Sequence, residues 1–347
     1  METAIRSAPE YQETSAGSEL PPGPKEASRP SIRIWLQPIL IALIVVSAFI
    51  GCYVGLQRDP QPHRVPIAVT APHHLPAKMR QAFGDRIEVY PAIDAESARE
   101  AVEHGDAVAA ISAEGRGRLR LEIAGADGSS TTGAVKNLVS VYASGAGMHV
   151  TTKDVVPLSR FDAHGLAGFY VAFGVTLAGC VLASNALGLA NLLSLRHRFW
   201  LLGGAWASIG TLAAIIAGPL LGAVPAPVTV LALTLTRLAS AAAFTTKLLG
   251  AYLGPVGLPV ATLVLLTVGD ATSGAVIGAD LLPSAARAVS ALLPPGAAVR
   301  AIRNLSYFGG AHATGPVVTL APWAAIAAVL VALRPSLVRR ADGRRAV

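Results

Sequence analysis

Arg237 and Asp270 are the residues of this 347-residue chain whose setting makes their chemistry conspicuous. Each is an ionisable side chain inside a long apolar run, where burying a charge in hydrocarbon costs about 3 kcal/mol. Groups in that position find a partner or line a wet path. Arg237 falls ten residues past Pro227, about 15 Å along a helix rising 1.5 Å per residue. Asp270 falls twelve residues before Leu282, about 18 Å by the same rise. With the two runs antiparallel the depths match, and the spacing predicts an intramembrane Arg237–Asp270 ion pair. Such a pair serves either as a packing device or as part of a pathway. Asp280, at the end of its run, needs only water.

No other constellation carries chemistry. The sequence has no G-x-x-x-x-G-K-[ST] phosphate loop, no H-E-x-x-H, no G-x-S-x-G and no C-x-x-C,. His63, His73 and His74 lack a third or fourth ligand at helix or hairpin spacing and read as solvated loop histidines,. Gly145 and Gly147 end a helix and have no phosphate role. Cys52 and Cys180 lie in apolar runs at different depths, which argues against a disulfide,. No catalytic, cofactor-binding or metal-ligating residues are therefore expected, and the chain does not read as an enzyme.

Composition sets the class. Hydrophobic residues make up 52%, charged residues 14% and aromatics 5%, with mean hydropathy +0.52, 34 Gly and 24 Pro. A soluble domain carries roughly 25% charged residues, so the chain reads as an integral membrane protein packed through small residues. Uncharged or nearly uncharged runs occur at 34–56, 166–193, 199–223, 227–249, 256–282 and 316–333. Each approaches or exceeds the roughly 20 residues needed to cross hydrocarbon. A cleaved signal or lipoprotein signal ending at Cys52 is the rival reading of 34–56. The length of that run and the tail before it favour an uncleaved anchor. Residues 1–33, with five Pro and five Glu, read as a disordered tail.

Charge gives orientation. Residues 166–347 carry twelve basic and three acidic side chains, an excess that reports membrane topology and not nucleic-acid binding. Arg196, Arg198, Lys247 and the basic tail 334–347 fall on one side when both termini are cytoplasmic, as the positive-inside bias requires. Residues 57–165 and 283–315 then lie outside. The expected fold is α-helical: six transmembrane helices, with a small α/β extracytoplasmic domain inserted between the first and second, in a bacterial cytoplasmic membrane.

Within 57–165, strands are expected at 65–69, 87–90, 107–111 and 119–123, where β-branched and apolar residues cluster or alternate,. Asp94 caps a helix over 95–103, and Thr131 or Thr132 caps another carrying Val135, Leu138, Val139 and Tyr142. In 283–315, residues 284–293 and 297–307 read as two short amphipathic helices at or dipping into the outer membrane face, split by Pro294-Pro295-Gly296. Small pairs at Gly218/Gly222, Gly250/Gly254 and Gly274/Gly278 favour close helix packing.

Two stretches carry a resemblance. Residues 94–111 read short helix, glycine turn at Gly105, then strand. Leu292-Leu293-Pro294-Pro295-Gly296, followed by Arg300 to Phe308, leads into the last apolar run. Together with the topology these resemble the membrane subunit of type-2 ABC exporters, in the phage-infection-protein (Pip/YhgE-like) branch. The resemblance implies a permease in the lipid bilayer that forms a homodimer and works with a separate ATPase subunit. The turn at 191–199 is short where such permeases place the helix that docks the ATPase. The alternative is a non-transporting membrane scaffold or surface receptor acting through the outer domain.

Overall fold

The structure, a computed structural model, describes residues 32–70, 75–115, 117–188 and 195–345. The chain divides into two units, 1–42 and 43–347. The described part of the first is the start of helix α1 (Ile32–Gln57), which carries Pro38 and exposes Leu36, Ile39 and Leu40. All that follows concerns the second unit.

Five strands form one sheet in the order β2-β1-β3-β4-β5. They are β1 (Val65–Thr70), β2 (Ile87–Pro91), β3 (Ala109–Ala113), β4 (Arg118–Ile123) and β5 (His149–Asp154). β1 pairs parallel with β2 and β3, β3 pairs antiparallel with β4, and β4 pairs parallel with β5. Period-two alternation divides the side chains between two cores. Ile67 and Val69 pack with Met79 of α2 (Leu75–Phe83) and with Val135 and Val139 of α4 (Ser129–Gly145). Ala68 and Ala110 face the other way, onto Ala98 and Val102 of α3 (Ala95–Glu103). Asp94 starts α3 through a reciprocal capping box with Ser97: its carboxylate accepts from Ser97 N at 2.8 Å,. The second core is closed by Phe308, from far along the chain.

Helices account for the remainder. Among the described residues, five stretches are long and apolar enough to cross a membrane: Leu36–Gln57, Ala167–Asn185, Trp200–Leu220, Val228–Gly269 and Thr314–Val331. They lie in α1, α5 (Ala167–Gly188), α6 (Leu195–Ile215, continued by a π-turn to Leu220), α7 (Val228–Leu253) with α8 (Gly257–Thr262) and its π-helical continuation to Gly269, and α11 (Thr314–Arg345). Small residues let these helices approach. A Cβ at Gly179 of α5 would lie 2.7 Å from the Ala239 carbonyl of α7, and one at Gly210 of α6 would collide with the α7 backbone at Thr236,.

The long stretch 228–269 is folded back on itself. Gly254 takes φ +61 after α7, Gly257 packs against Gly250, and Leu265 clusters with Ala242 and Cys180. α8 thus returns along α7. The expected fifth run, 256–282, is helical only as far as Ala271. Residues 272–278 are turn and bend, and a single 3-10 turn covers Ala279–Leu281. Thr272, Ser273 and Gly278 in this unwound stretch are buried in protein, the condition under which irregular backbone is tolerated at membrane depth.

Helices α9 (Ser284–Leu292) and α10 (Pro294–Tyr307) form a helical hairpin. Trp323 Nε1 donates to the Leu292 carbonyl at 2.7 Å. Trp323 is nine residues into α11, about 14 Å from its domain-side end. At the same tip, a Cβ at Gly269 would lie 2.9 Å from Pro295 Cγ. The hairpin then climbs back, and Phe308 packs on Gly105 of the α/β domain. The backbone of the basic segment after Leu333 is helical and continues α11 to Arg345.

Candidate functional site

Asp270 sits where the helical part of the fifth run stops. Its side chain is 1% exposed, and neither carboxylate oxygen has a hydrogen-bond partner. The π-helical turns ahead of it shift the backbone ladder, so that Asp270 N–H turns to the Thr267 carbonyl,. The Tyr53 hydroxyl of α1 donates to the Leu266 carbonyl at 3.3 Å. Ser273 donates to the Asp270 carbonyl at 2.7 Å. On α5, Cys180 accepts from Thr246 of α7 at 3.2 Å. Tyr53 and Cys180 both lie close enough to feel a charge on Asp270. The first turn of α10 closes the site through Pro295 against Gly269.

The structure does not bring Arg237 to Asp270. Arg237 is exposed on α7, on the stripe that also exposes Val230 and Leu233. Ala242, which faces α8 through Leu265, is five residues further on, about 140° around the helix at 100° per residue. Matched depth was the wrong criterion, because azimuth also decides which side chains meet. The expected ion pair is therefore replaced by a lone buried carboxyl.

On the domain side of Asp270 lies a cavity with about 40 Å³ of water-accessible space, room for roughly three waters. Ser273, the residue bonded to Asp270, is in its wall, with Asp127, Asp162, Arg300, Arg303 and Tyr307. Asp127 belongs to the turn before α4 and meets Arg303 Nη1 at 3.4 Å. Burial pushes Asp127 up to about 6; Arg303 opposes the shift and Asp280 adds to it. Asp162 accepts from the Leu166 and Ala167 amides at 2.9 and 3.1 Å and caps the start of α5. Arg300 donates to the Ser290 hydroxyl and carbonyl, joining the two arms of the hairpin.

The α/β domain contacts the unwound stretch and the segment after α10 directly. Ser130 donates to the Val276 carbonyl, Thr131 packs on Gly278, and His312 Nε2 meets Asp106 at 2.9 Å. None of these residues was singled out from sequence as functional. For Arg300 and Arg303 the signal was present, since both fall opposite the apolar face of α10. For Ser130 and Asp127 the only signal was a helix start.

His63 is exposed in the linker to β1, and His73 and His74 lie outside the described residues. Among the described residues, no three His, Cys, Asp or Glu side chains come together to hold a metal. Cys52 and Cys180 are both free thiols. Comparisons with protein-family models, with curated proteins and with solved structures return no match. The described residues are mostly helix, with five apolar helices of membrane-crossing length and one small α/β sheet. This is the plan of a helical membrane protein.

Proposed function

We propose that the chain is the membrane-spanning permease subunit of a type-2 ABC-like exporter, moving a substrate across the cytoplasmic membrane with a separate ATPase subunit. The observation that carries this reading is the broken fifth run. An unwound stretch, a helical hairpin and an unpaired carboxyl meet at one place inside the helical bundle, as at the discontinuous helices around which transporters gate. An apolar groove of about 470 Å³ beside the hairpin tip, lined by Leu248, Leu292, Val318, Trp323 and Ile326, adds a place for an apolar cargo moiety. α7 and the return through α8 count as separate crossings in this reading, which gives six spans with both termini cytoplasmic. Of the turn that would dock an ATPase, 191–199, residues 191–194 lie outside the described residues and 195–199 begin α6.

Affinity purification of the tagged protein in mild detergent, with mass spectrometry of its companions, tests the proposal. A stoichiometric ATPase subunit is the expected result. Its reproducible absence, with surface proteins recovered instead, would move the assignment to a non-transporting scaffold or receptor. Orientation is tested separately: a cysteine at Ser129 should react with an impermeant maleimide on intact cells, and one at Ser336 should not.

A further inference from the structure

Asp270 poses a problem that the permease reading leaves unsolved. An ionised carboxylate with no partner inside protein costs several kcal/mol, yet both oxygens are buried and unpartnered. Among the described residues no basic side chain is hydrogen-bonded to it. On α7, Arg237 faces away; on α10, Arg300 is engaged with Ser290; α1 and α5 offer Tyr53 and Cys180, neither of them a cation at neutral pH. Thr246 is committed to Cys180 and to the Ala242 carbonyl. Among the described residues no counter-charge is paired with the Asp270 carboxyl, which leaves a cation from solution as its partner.

The nearby polar space lies on the domain side: Ser273, three residues on, donates to the Asp270 backbone carbonyl and lines a cavity with room for a few waters,. A proton is the smallest cation and needs no coordination shell. A metal ion would need several oxygen ligands, and among the described residues no three His, Cys, Asp or Glu side chains come together to supply them. From the buried, unpartnered carboxyl and the adjoining cavity we infer that Asp270 is a proton-binding site, loaded and unloaded from the domain side through the cavity at Ser273. The unwound stretch 272–278 is the element whose conformation protonation would bias, because it starts beside the carboxyl and ends on the domain through Val276 and Gly278.

The test is infrared spectroscopy of the full chain in lipid nanodiscs, with aspartate isotope-labelled at its carboxyl. One protonated-aspartate carbonyl band should persist at neutral pH, disappear reversibly on titration between about pH 5 and about pH 9, and be missing in Asp270→Asn. Ser273→Val, which narrows the cavity, should slow exchange of that proton for deuterium several-fold. If Asp270→Asn does not fold, dicyclohexylcarbodiimide, which reacts with protonated carboxyls in apolar surroundings, should modify the wild-type chain at Asp270 in a pH-dependent manner. A band that never titrates, or no band and no adduct at Asp270, overturns the inference. Loss of the band on adding sodium at constant pH also overturns it and reassigns the site to a metal cation. This inference concerns the carboxyl alone. Failure to recover an ATPase would leave the titration untouched, and a failed titration would leave the ATPase result untouched.

Discussion

The Ser130 hydroxyl donates to the Val276 carbonyl at 2.5 Å, joining the first turn of α4 to the unwound stretch that follows Asp270. The two residues are 146 positions apart, and the bond makes the α/β domain part of the wall around the broken run. Ser130→Ala would remove one donor from a partly buried carbonyl, a loss of about 1 kcal/mol. The expected outcome is faster amide deuterium uptake across 272–278 with uptake in the β-sheet unchanged. Equal protection in both proteins would show that the bond does not hold the stretch.

Asp127 gives the domain contact a pH dependence whose sign follows from its burial. Its carboxyl is raised from 3.8 to about 6 in the folded protein, so the folded state holds the proton longer than the unfolded chain does. That contribution is fully present below about pH 4 and is lost as pH rises through about 6. Thermal unfolding in detergent should show an Asp127 contribution of roughly 3 kcal/mol at most, favouring the acid end of that window. Asp127→Asn should flatten this part of the profile and be no less stable than wild type at neutral pH. A profile that the substitution leaves unchanged would remove Asp127 as its source.

Gly269 is a packing requirement. A Cβ there would press on the Pro295 ring, which is too rigid to yield, and on the Val264 carbonyl at 3.2 Å. Gly269→Ala should lower thermal stability by about 1–3 kcal/mol. Gly203→Ala serves as the control, since nothing lies within 4 Å of a Cβ at that position of α6. Equal behaviour of the two variants would contradict the close approach of hairpin tip and broken run.

Arg237 and Asp270 should act independently. Asp270→Asn replaces an unpartnered acid with a neutral isostere and is expected to leave folded yield unchanged or raise it. Combined with Arg237→Gln, stability changes should add to within about 0.5 kcal/mol, as for sites that share no contact. Rescue of one substitution by the other would restore the ion pair expected from depth alone.

Much of the α/β domain was legible because its strands have one or two apolar faces. Leu119, Leu121 and Ile123 point inward while Arg118 and Arg120 point out, and β1 to β4 follow from such patterns. β5 was not legible. His149 to Asp154 is an edge strand exposed along nearly its whole length, so no alternation of burial marks it, and pairing with β4 alone makes it a strand. α2 hides for a related reason: Met79 is its single buried residue. In the membrane part, the helix positions were legible from hydropathy and the break was not. Averaging over 256–282 treats Thr272, Ser273 and Gly274 as tolerable small residues, whereas the backbone there is unwound and its Val276 carbonyl accepts from Ser130 of α4. The same averaging made Asp270 look like half of a pair between two straight helices.

The attachment points on the sheet imply a load path. Ser130 and Asp127, at the start of α4, and Gly105, just after α3, connect two segments of one β-sheet body to the unwound stretch, to α10 and to Phe308. A pull on that body, from whatever it binds, would not be absorbed by a floppy tether. It would reach the hairpin and the Asp270 segment together, as torque on a handle reaches a bolt.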